Sequence, residues 1–450
     1  MTQLPEHVIG DAYTNSVAWD LLTDLVGVGN RMAGQSGERE GAGLVADAFD
    51  EAGLREVEID EFEIPGWWRG ESMLTVEGDR TEEYAADHDV IALPGTPSGT
   101  GEGDLVDVGY GTEAEFENAD LDGKVAMARS DVPADSDRWR HRMEKYADAY
   151  EAGAVGFVFR NHVEGCLPPT GEIGYHSRSG PIPAVGVSKE LGERLARKCD
   201  AGDPTATLQV ECRNEPATSR NVEGVVGPDT DREVLVTAHV DAHDIAEGAN
   251  DNGAGSALVA EVGRLLAKAE ADGRLDTRVR LITFGSEEIG LYGAYHWAET
   301  HDLADVKAVI NVDGAGNSRN LRVGTNGFEA FEDVFRAVTD AHDAPLSSDD
   351  TVSPHGDQWP FVQEGVPAVM ASTTSEGEGR GWGHTHADTL DKLDPRDLRE
   401  VAIQLASVAT EVASDDRSFE RKEREEIRDA LSDGYVRELK VGGRWPYGEE

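Results

Sequence analysis

The segment EVLVTAHVDAHDIAEGANDNGAGSALVAEVGRLLAKA, residues 233–269, passes from an apolar run through a glycine-rich turn into a helical pattern. Residues 233–240 read as a buried strand, because apolar side chains fill successive positions rather than alternate ones. Residues 256–269 (SALVAEVGRLLAKA) read as a helix. The alternation continues with RVRLITF (278–284) as a strand, LYGAYHWAE (291–299) as a helix and VKAVINVD (306–313) as a strand. Strand, loop and helix in repetition predict an α/β fold with a mostly parallel sheet covered by helices. In such sheets ligands collect at the carboxyl ends of the strands, so polar residues there carry the most weight.

Those ends hold imidazoles and carboxylates. His239 and Asp241 close the first strand two residues apart on one side, an arrangement in which a carboxylate steadies a metal-binding imidazole through its second nitrogen. Asp251 lies in GANDNGAG (248–255), just before the helix. Ser286, Glu287 and Glu288 follow the second strand, and Asp313 ends the third before Gly314. His384 and His386 stand in GHTHADTLDKL (383–393). Imidazole with carboxylate and without thiolate is the ligand set of zinc or a similar divalent ion in a hydrolytic site. His, Asp, Glu, Asp and His are more donors than one open zinc uses. Two ions sharing a carboxylate fit the set and leave one glutamate of the 287–288 pair free to move a proton. HVDAH also sets His239 and His243 four apart, the spacing of a helical zinc-binding pair. The strand character before His239, and the lack of a glutamate directly after it, argue against that pair.

Outward from this region, Val17, Leu21, Leu22 and Leu25, then Leu44, Val45, Ala48 and Phe49, recur at helical spacing on either side of GNRMAGQSGE (29–38). Residues 56–64 alternate apolar and acidic side chains, as a half-buried strand does. Farther on, DLDGKVAM (120–127) is a turn feeding a strand, 143–152 a helix, AGAVGFVFRN (152–161) a buried strand, and GPIPAVGVS (180–188) a short strand followed by a helix through Leu195. Beyond residue 414 the chain reads as a charged amphipathic helix or tail, expected to be solvated.

The 450 residues carry 41 Lys and Arg against 89 Asp and Glu, a net charge of −48. A polyanion would be repelled everywhere, which excludes nucleic acid as a partner. The length predicts two domains, or one with an insertion. With 38% hydrophobic residues the chain can build real cores, so the acidity belongs to its surface. Only nine of the basic residues are lysine, a composition that fits a halophilic, salt-accumulating source. No apolar run is long enough to span a membrane. The first residues, TQLPEHVIGDAYTNSVAWDLL, carry acids where a signal peptide needs a basic region, and three scattered cysteines make no disulfide framework. The placement expected from these features is the cytoplasm.

HVD, GANDNGAG, SEEIGLYGA, NVDG and HTHADTLDK, in that order and spacing, resemble the five signature blocks of the co-catalytic zinc exopeptidases of metallopeptidase family twenty-eight. GNRMAGQSGEREG, GDQWPF (356–361) and GVPAV (365–369) match as well, while DLDGKVAMAR, EAGAVGFVFRN and GPIPAVGVS resemble the protease-associated domain that many members carry as an insertion. The resemblance implies a three-layer α/β fold, with a mostly parallel mixed sheet flanked by helices. Residues 1–83 and 213–415 would form it, with a smaller β-rich domain inserted at 84–212 and a charged helix or tail at 416–450. It implies two zinc ions per chain, replaceable by cobalt or manganese: His239 and Asp313 on one, Glu288 and His384 on the other, Asp251 bridging them. Glu287 would be the general base and acid, and Asp241 the orienting partner of His239. The implied activity is that of a metallo-aminopeptidase acting on peptides. A carboxypeptidase or dipeptidase is the alternative, and it would need a cation for a free carboxylate, for which Arg319, Arg322 and Arg380 are the candidates. A receptor-like relative without catalysis would have lost ligand residues, and here all are present.

Two departures bear on the site. Members usually have Ser-Asp-His in the late loop where this chain has Gly356, Asp357 and Gln358, which puts substrate preference in question and leaves the metals untouched. Proline often follows the metal-binding His-Thr, where this chain has His386; His384 is taken as the ligand because it stands four before Asp388, as the family's ligand does. His355, Trp359 and Trp382 are candidates for the pocket wall.

Overall fold

The computed structural model describes residues 4–78, 80–136, 138–174, 179–374 and 382–448. They form two units, one of Met1–Ile64, Thr218–Gly383 and Asp388–Ser432, the other of Pro65–Ala217, His384–Ala387 and Asp433–Glu450. The main boundaries fall inside two long strands, Arg55–Glu77 and Thr205–Val226, outside the stretch 84–212 that the sequence suggests for an insertion.

In the first unit the strand order is Leu346–Asp349, Leu321–Gly324, Ala368–Thr373, Val306–Val312, Glu233–His239, Arg278–Phe284 and the carboxyl half of Thr205–Val226. Glu233–His239 runs parallel to both neighbours, while Arg278–Phe284 is antiparallel to residues 222–226 and Leu321–Gly324 antiparallel to Ala368–Thr373. The sheet is therefore mixed and mostly parallel. Glu233–His239 and Val306–Val312 are buried at every position, which explains their unbroken apolar sequence. From Glu233–His239 the chain moves to Arg278–Phe284 on one side and then crosses to Val306–Val312 on the other. This reversal opens a crevice at the carboxyl end of Glu233–His239. Register then levels the strand ends: Phe284 pairs with His239 and Asn311 with Thr237, so Asp313, two residues on, comes level with His239.

The strands and helices expected around the crevice are found at Glu233–His239, Ala254–Ala271, Arg278–Phe284, Tyr292–Thr300 and Val306–Val312. Ala254–Ala271 is buried on nearly every face because Ala18–Val28, Ser36–Ala52 and Pro395–Val412 pack around it. Pro395–Val412 starts with Asp394 accepting from the Arg396 amide and proline at its first position, a local start signal. Among the described residues no helix is long and apolar enough to cross a membrane.

The second unit orders Val90–Ala92, Ala184–Val187, Gly156–Arg160, Val125–Arg129, Gly99–Asp107 and the amino half of Thr205–Val226. Leu93, Phe116, Tyr146, Phe157 and Ile173 fill its core. Helix Arg142–Glu151 is buried from Arg142 to Ala149, an outcome its polar sequence hides. Tyr146 and Ala149 face the core of this unit, and the C-terminal helix Asp433–Val441 packs on the helix as well. Arg437 of that helix meets Asp148 and stands 3.5 Å from Glu144, while Glu438 and Leu439 are each 1% exposed. The solvated tail expected from composition is thus corrected at 433–441: its charges answer acids that the helix buries. Lys145 donates to the carbonyls of Arg129 (2.7 Å) and Asp131 (2.8 Å), and burial pulls its pKa down to about 7.

Candidate metal centre

His239 ends its strand fully buried, and its Nδ1 lies 3.0 Å from the Asp241 main-chain carbonyl and 3.5 Å from the Asp241 carboxylate. The nearest orienting contact is therefore the backbone of Asp241. Its carboxylate also holds the next turn, since Oδ1 accepts from the Glu287 amide (3.0 Å) and Oδ2 from the Glu288 amide (3.2 Å). Asp241 so ties the end of one strand to the turn that follows the next.

With Nδ1 donating to a carbonyl, His239 Nε2 presents a lone pair. That nitrogen has no hydrogen-bond partner, and it faces Asp251 Oδ1 at 3.4 Å, Asp313 Oδ1 at 3.7 Å and Glu287 Oε2 at 3.9 Å. Lone pairs that converge in a buried place repel one another unless a cation stands among them. Donors at about 2.0–2.1 Å around a tetrahedral zinc lie about 3.3 Å apart, close to the spacing of His239, Asp251 and Asp313. The residues fit a divalent ion.

Asp251 is set by its neighbours. Asp388 accepts from the amides of Asn250 (2.9 Å) and Asp251 (3.0 Å), and Asn252 donates to the Val312 carbonyl at 2.9 Å. Gly255 is required here, since a Cβ would stand 2.1 Å from Asn252 Oδ1 and 2.6 Å from the Val312 oxygen. Burial, with Asp251 close by, raises the Asp388 carboxyl to about 6. Asp313 is held by its amide on the Ala371 carbonyl at 3.0 Å, which links it to the adjacent strand.

Glu288 is buried, and His243 Nε2 stands 2.9 Å from its Oε2. Glu287 is raised well above the ordinary carboxylate range by burial, then by Glu288, Asp357 and Asp313, against the opposing pull of His239. Asp357, fully buried with neither oxygen hydrogen-bonded, is raised in the same way. His384 belongs by packing to the second unit, where its carbonyl accepts from the Thr170 amide at 2.9 Å and His386 Nε2 lies 2.9 Å from the Asp87 carbonyl. Trp359 is 0% exposed and is core, not pocket wall; Trp382 is 46% exposed with the Lys392 ammonium 5.3 Å from its ring.

Arg31 of GNRMAGQSGE carries no sequence signal that singles it out, while His243 and Asp388 enter the sequence reading only as half of a rejected helical pair and as the spacing marker for His384. Arg31 is buried and donates to the carbonyls of Val240 (3.0 Å), Leu25 (2.8 Å), Glu247 (2.8 Å) and Gly248 (2.9 Å). It pins the loop between His239 and Asp251 at both ends. Arg31→Met is expected to lower unfolding free energy by about 3 kcal/mol or more, because buried carbonyls lose their donors. Urea unfolding checks this, and an unchanged midpoint would show that water replaces the guanidinium. For His243 the sequence hints are its spacing of four from His239 and its place in the alternation His239, Asp241, His243.

The chain matches peptidase family M28 over residues 221–409 and the PA domain over residues 101–195. It is 27% identical to aminopeptidase YwaD of Bacillus subtilis (strain 168) over 412 residues, 87% of this chain and 83% of that protein. It is 24% identical to carboxypeptidase Q of Mus musculus over 414 residues, 89% of this chain and 86% of that protein. Among solved structures, BSAP, a zinc aminopeptidase from Bacillus subtilis, superposes with a TM-score of 0.67 at 25% identity, covering 88% of this chain and 94% of that one.

Proposed function

We propose that this chain, which matches peptidase family M28 over residues 221–409 and the PA domain over residues 101–195, is a zinc-dependent exopeptidase that removes amino-terminal residues from peptides. The observation that carries the proposal is the group His239, Asp251 and Asp313, the first two buried and the third partly so, with Glu287 beside it and Glu288 next in the same turn. In this reading His239 and Asp313 hold one zinc, Glu288 and His384 a second, and Asp251 lies between them. His384 is preferred to His386 because His386 Nε2 is engaged by the Asp87 carbonyl.

Zinc, when bound, supplies Lewis acidity, which polarises a carbonyl and lowers the pKa of a water. The chain's own residues do the rest. Glu287 takes a proton from the attacking water and passes it to the leaving amine nitrogen. Asp241 fixes the amides of Glu287 and Glu288, so the proton carrier and the neighbouring donor keep a set spacing. The three cysteines are free thiols, which supports a reducing compartment, and we place the enzyme in the cytoplasm.

Acidic surroundings suit the ammonium of a peptide amino terminus, whereas a carboxypeptidase needs a cation to hold a free carboxylate. Arg319 is half-exposed and paired with Glu400 at 3.0 Å, Arg322 is on an exposed position of Leu321–Gly324, and Arg380 lies outside the described residues. Amino-acid arylamides are expected to be hydrolysed at least about 10²-fold faster than N-acetylated peptides. Cleavage of the N-acetylated peptide with the free arylamide left intact would turn the assignment to a carboxypeptidase or dipeptidase.

A further inference from the structure

The row His239, Asp241, His243 spans more of the centre than the resemblance assigns to it. Its first imidazole faces Asp251 and Asp313, its carboxylate holds the amides of Glu287 and Glu288, and its second imidazole reaches Glu288. We propose that His243 is a zinc donor, sharing with Glu288 the ion that His239 does not bind. This rests on the two-ion reading above and deepens it.

The geometry carries the assignment first. His243 Nε2 and Glu288 Oε2 are 2.9 Å apart, with side chains 4% and 3% exposed, so both offer ligand atoms to one buried point. Both come from segments tied together: Asp241, two residues before His243, receives the Glu288 amide at 3.2 Å. The loop bearing His243 is also preset. Arg31 grips the carbonyls of Val240, Glu247 and Gly248, and the Ala242 amide donates to the Arg31 carbonyl at 3.2 Å. An imidazole delivered on a fixed loop loses little freedom when it binds.

Chemistry gives the second reason. The carboxyl groups of Asp241, Asp251, Glu287, Glu288, Asp313 and Asp357 already crowd potential negative charge into this place. A neutral imidazole adds a ligand without adding to that charge, and it suits zinc. Together with Glu288, with the Asp251 carboxylate between the ions and with the imidazole of His384 that the resemblance supplies, it makes four protein donors, and a water or substrate oxygen would be the fifth, a coordination that catalytic zinc can reach. The row then provides one imidazole to each ion, with the Asp241 carboxylate between them.

The test uses the full chain, stripped of metal by dialysis and titrated with Zn2+ and with Co2+. Wild type is expected to bind two ions. His243→Ala and Glu288→Gln are expected to bind one tightly and the second at least about 10²-fold more weakly, with changed visible cobalt absorption. Added imidazole is expected to restore the second cobalt to His243→Ala. His243→Gln, which keeps a polar side chain of similar length, serves if the alanine variant does not fold. Wild type with two ions, together with His243 variants whose cobalt spectrum and second-ion affinity are unchanged, would overturn the role of His243 and leave the two-ion reading in place. Wild type with a single ion would overturn the two-ion reading itself.

Discussion

Glu287→Gln is expected to retain its zinc and lose about 10²–10⁴ of its turnover, the range over which a positioned proton carrier contributes. Glutamine preserves side-chain volume, and the anchor of this residue is its main-chain amide on Asp241 at 3.0 Å, which the substitution does not touch. What it removes is the ability to accept a proton 3.9 Å from His239 Nε2, at the rim of the first donor group. Measured by kcat on an amino-acid arylamide alongside zinc content, loss of turnover with full metal supports the proton role. Loss of metal instead would make Glu287 a ligand, and near-normal turnover would remove it from the mechanism.

Chelation is expected to abolish activity and to lower Tm by about 5–15 °C, as loss of a tightly bound ligand does in a chain of this size. The fall should deepen as pH rises. Without a cation, Glu287 and Asp357 have carboxyls raised well above their ordinary values of 4.5 and 3.8, chiefly by burial and then by neighbouring acids. Between the ordinary and the raised values the folded state therefore holds more protons than the unfolded one, and stability drops as pH increases through that window. Cations remove the need for those protons, so the loaded protein should change less. Thermal melts of chelated and zinc-loaded protein from about pH 5 to about pH 8 decide the matter. A chelated protein whose Tm stays flat or rises over that range would show that these carboxylates are relieved by something other than metal.

Much of this centre is local in sequence. His239, Asp251, Glu287, Glu288 and Asp313 each sit where a strand or loop ends, and a strand end can be recognised from its own few residues: an apolar run, then glycine or a polar turn. The same local signals mark the strands Glu233–His239, Arg278–Phe284 and Val306–Val312 and the helices between them. Those helices have apolar patterns because each packs one or more faces on the sheet or on a neighbour, and period alone reveals that.

Other features depend on partners far away along the chain, and no window of sequence contains both members of such a pair. Arg31 reads as one charged residue in a glycine-rich turn, and only folding brings its guanidinium to carbonyls more than 200 positions away. Asp388 reads as a spacing marker for His384, yet in the fold it receives the amides of Asn250 and Asp251. His243 reads as half of a failed helical pair, and it is the Asp241 contacts that set it beside Glu288. The charged helix Asp433–Val441 reads as solvated, and its burial on Arg142–Glu151 follows from acids that composition cannot locate. The 450 residues thus mark His239, Asp251, Glu288 and Asp313 as candidate donors at strand or loop ends. Strand order, register and the buried guanidinium bring those donors within a few ångströms of one another, because distance in a fold is set by long-range pairing and not by spacing along the chain.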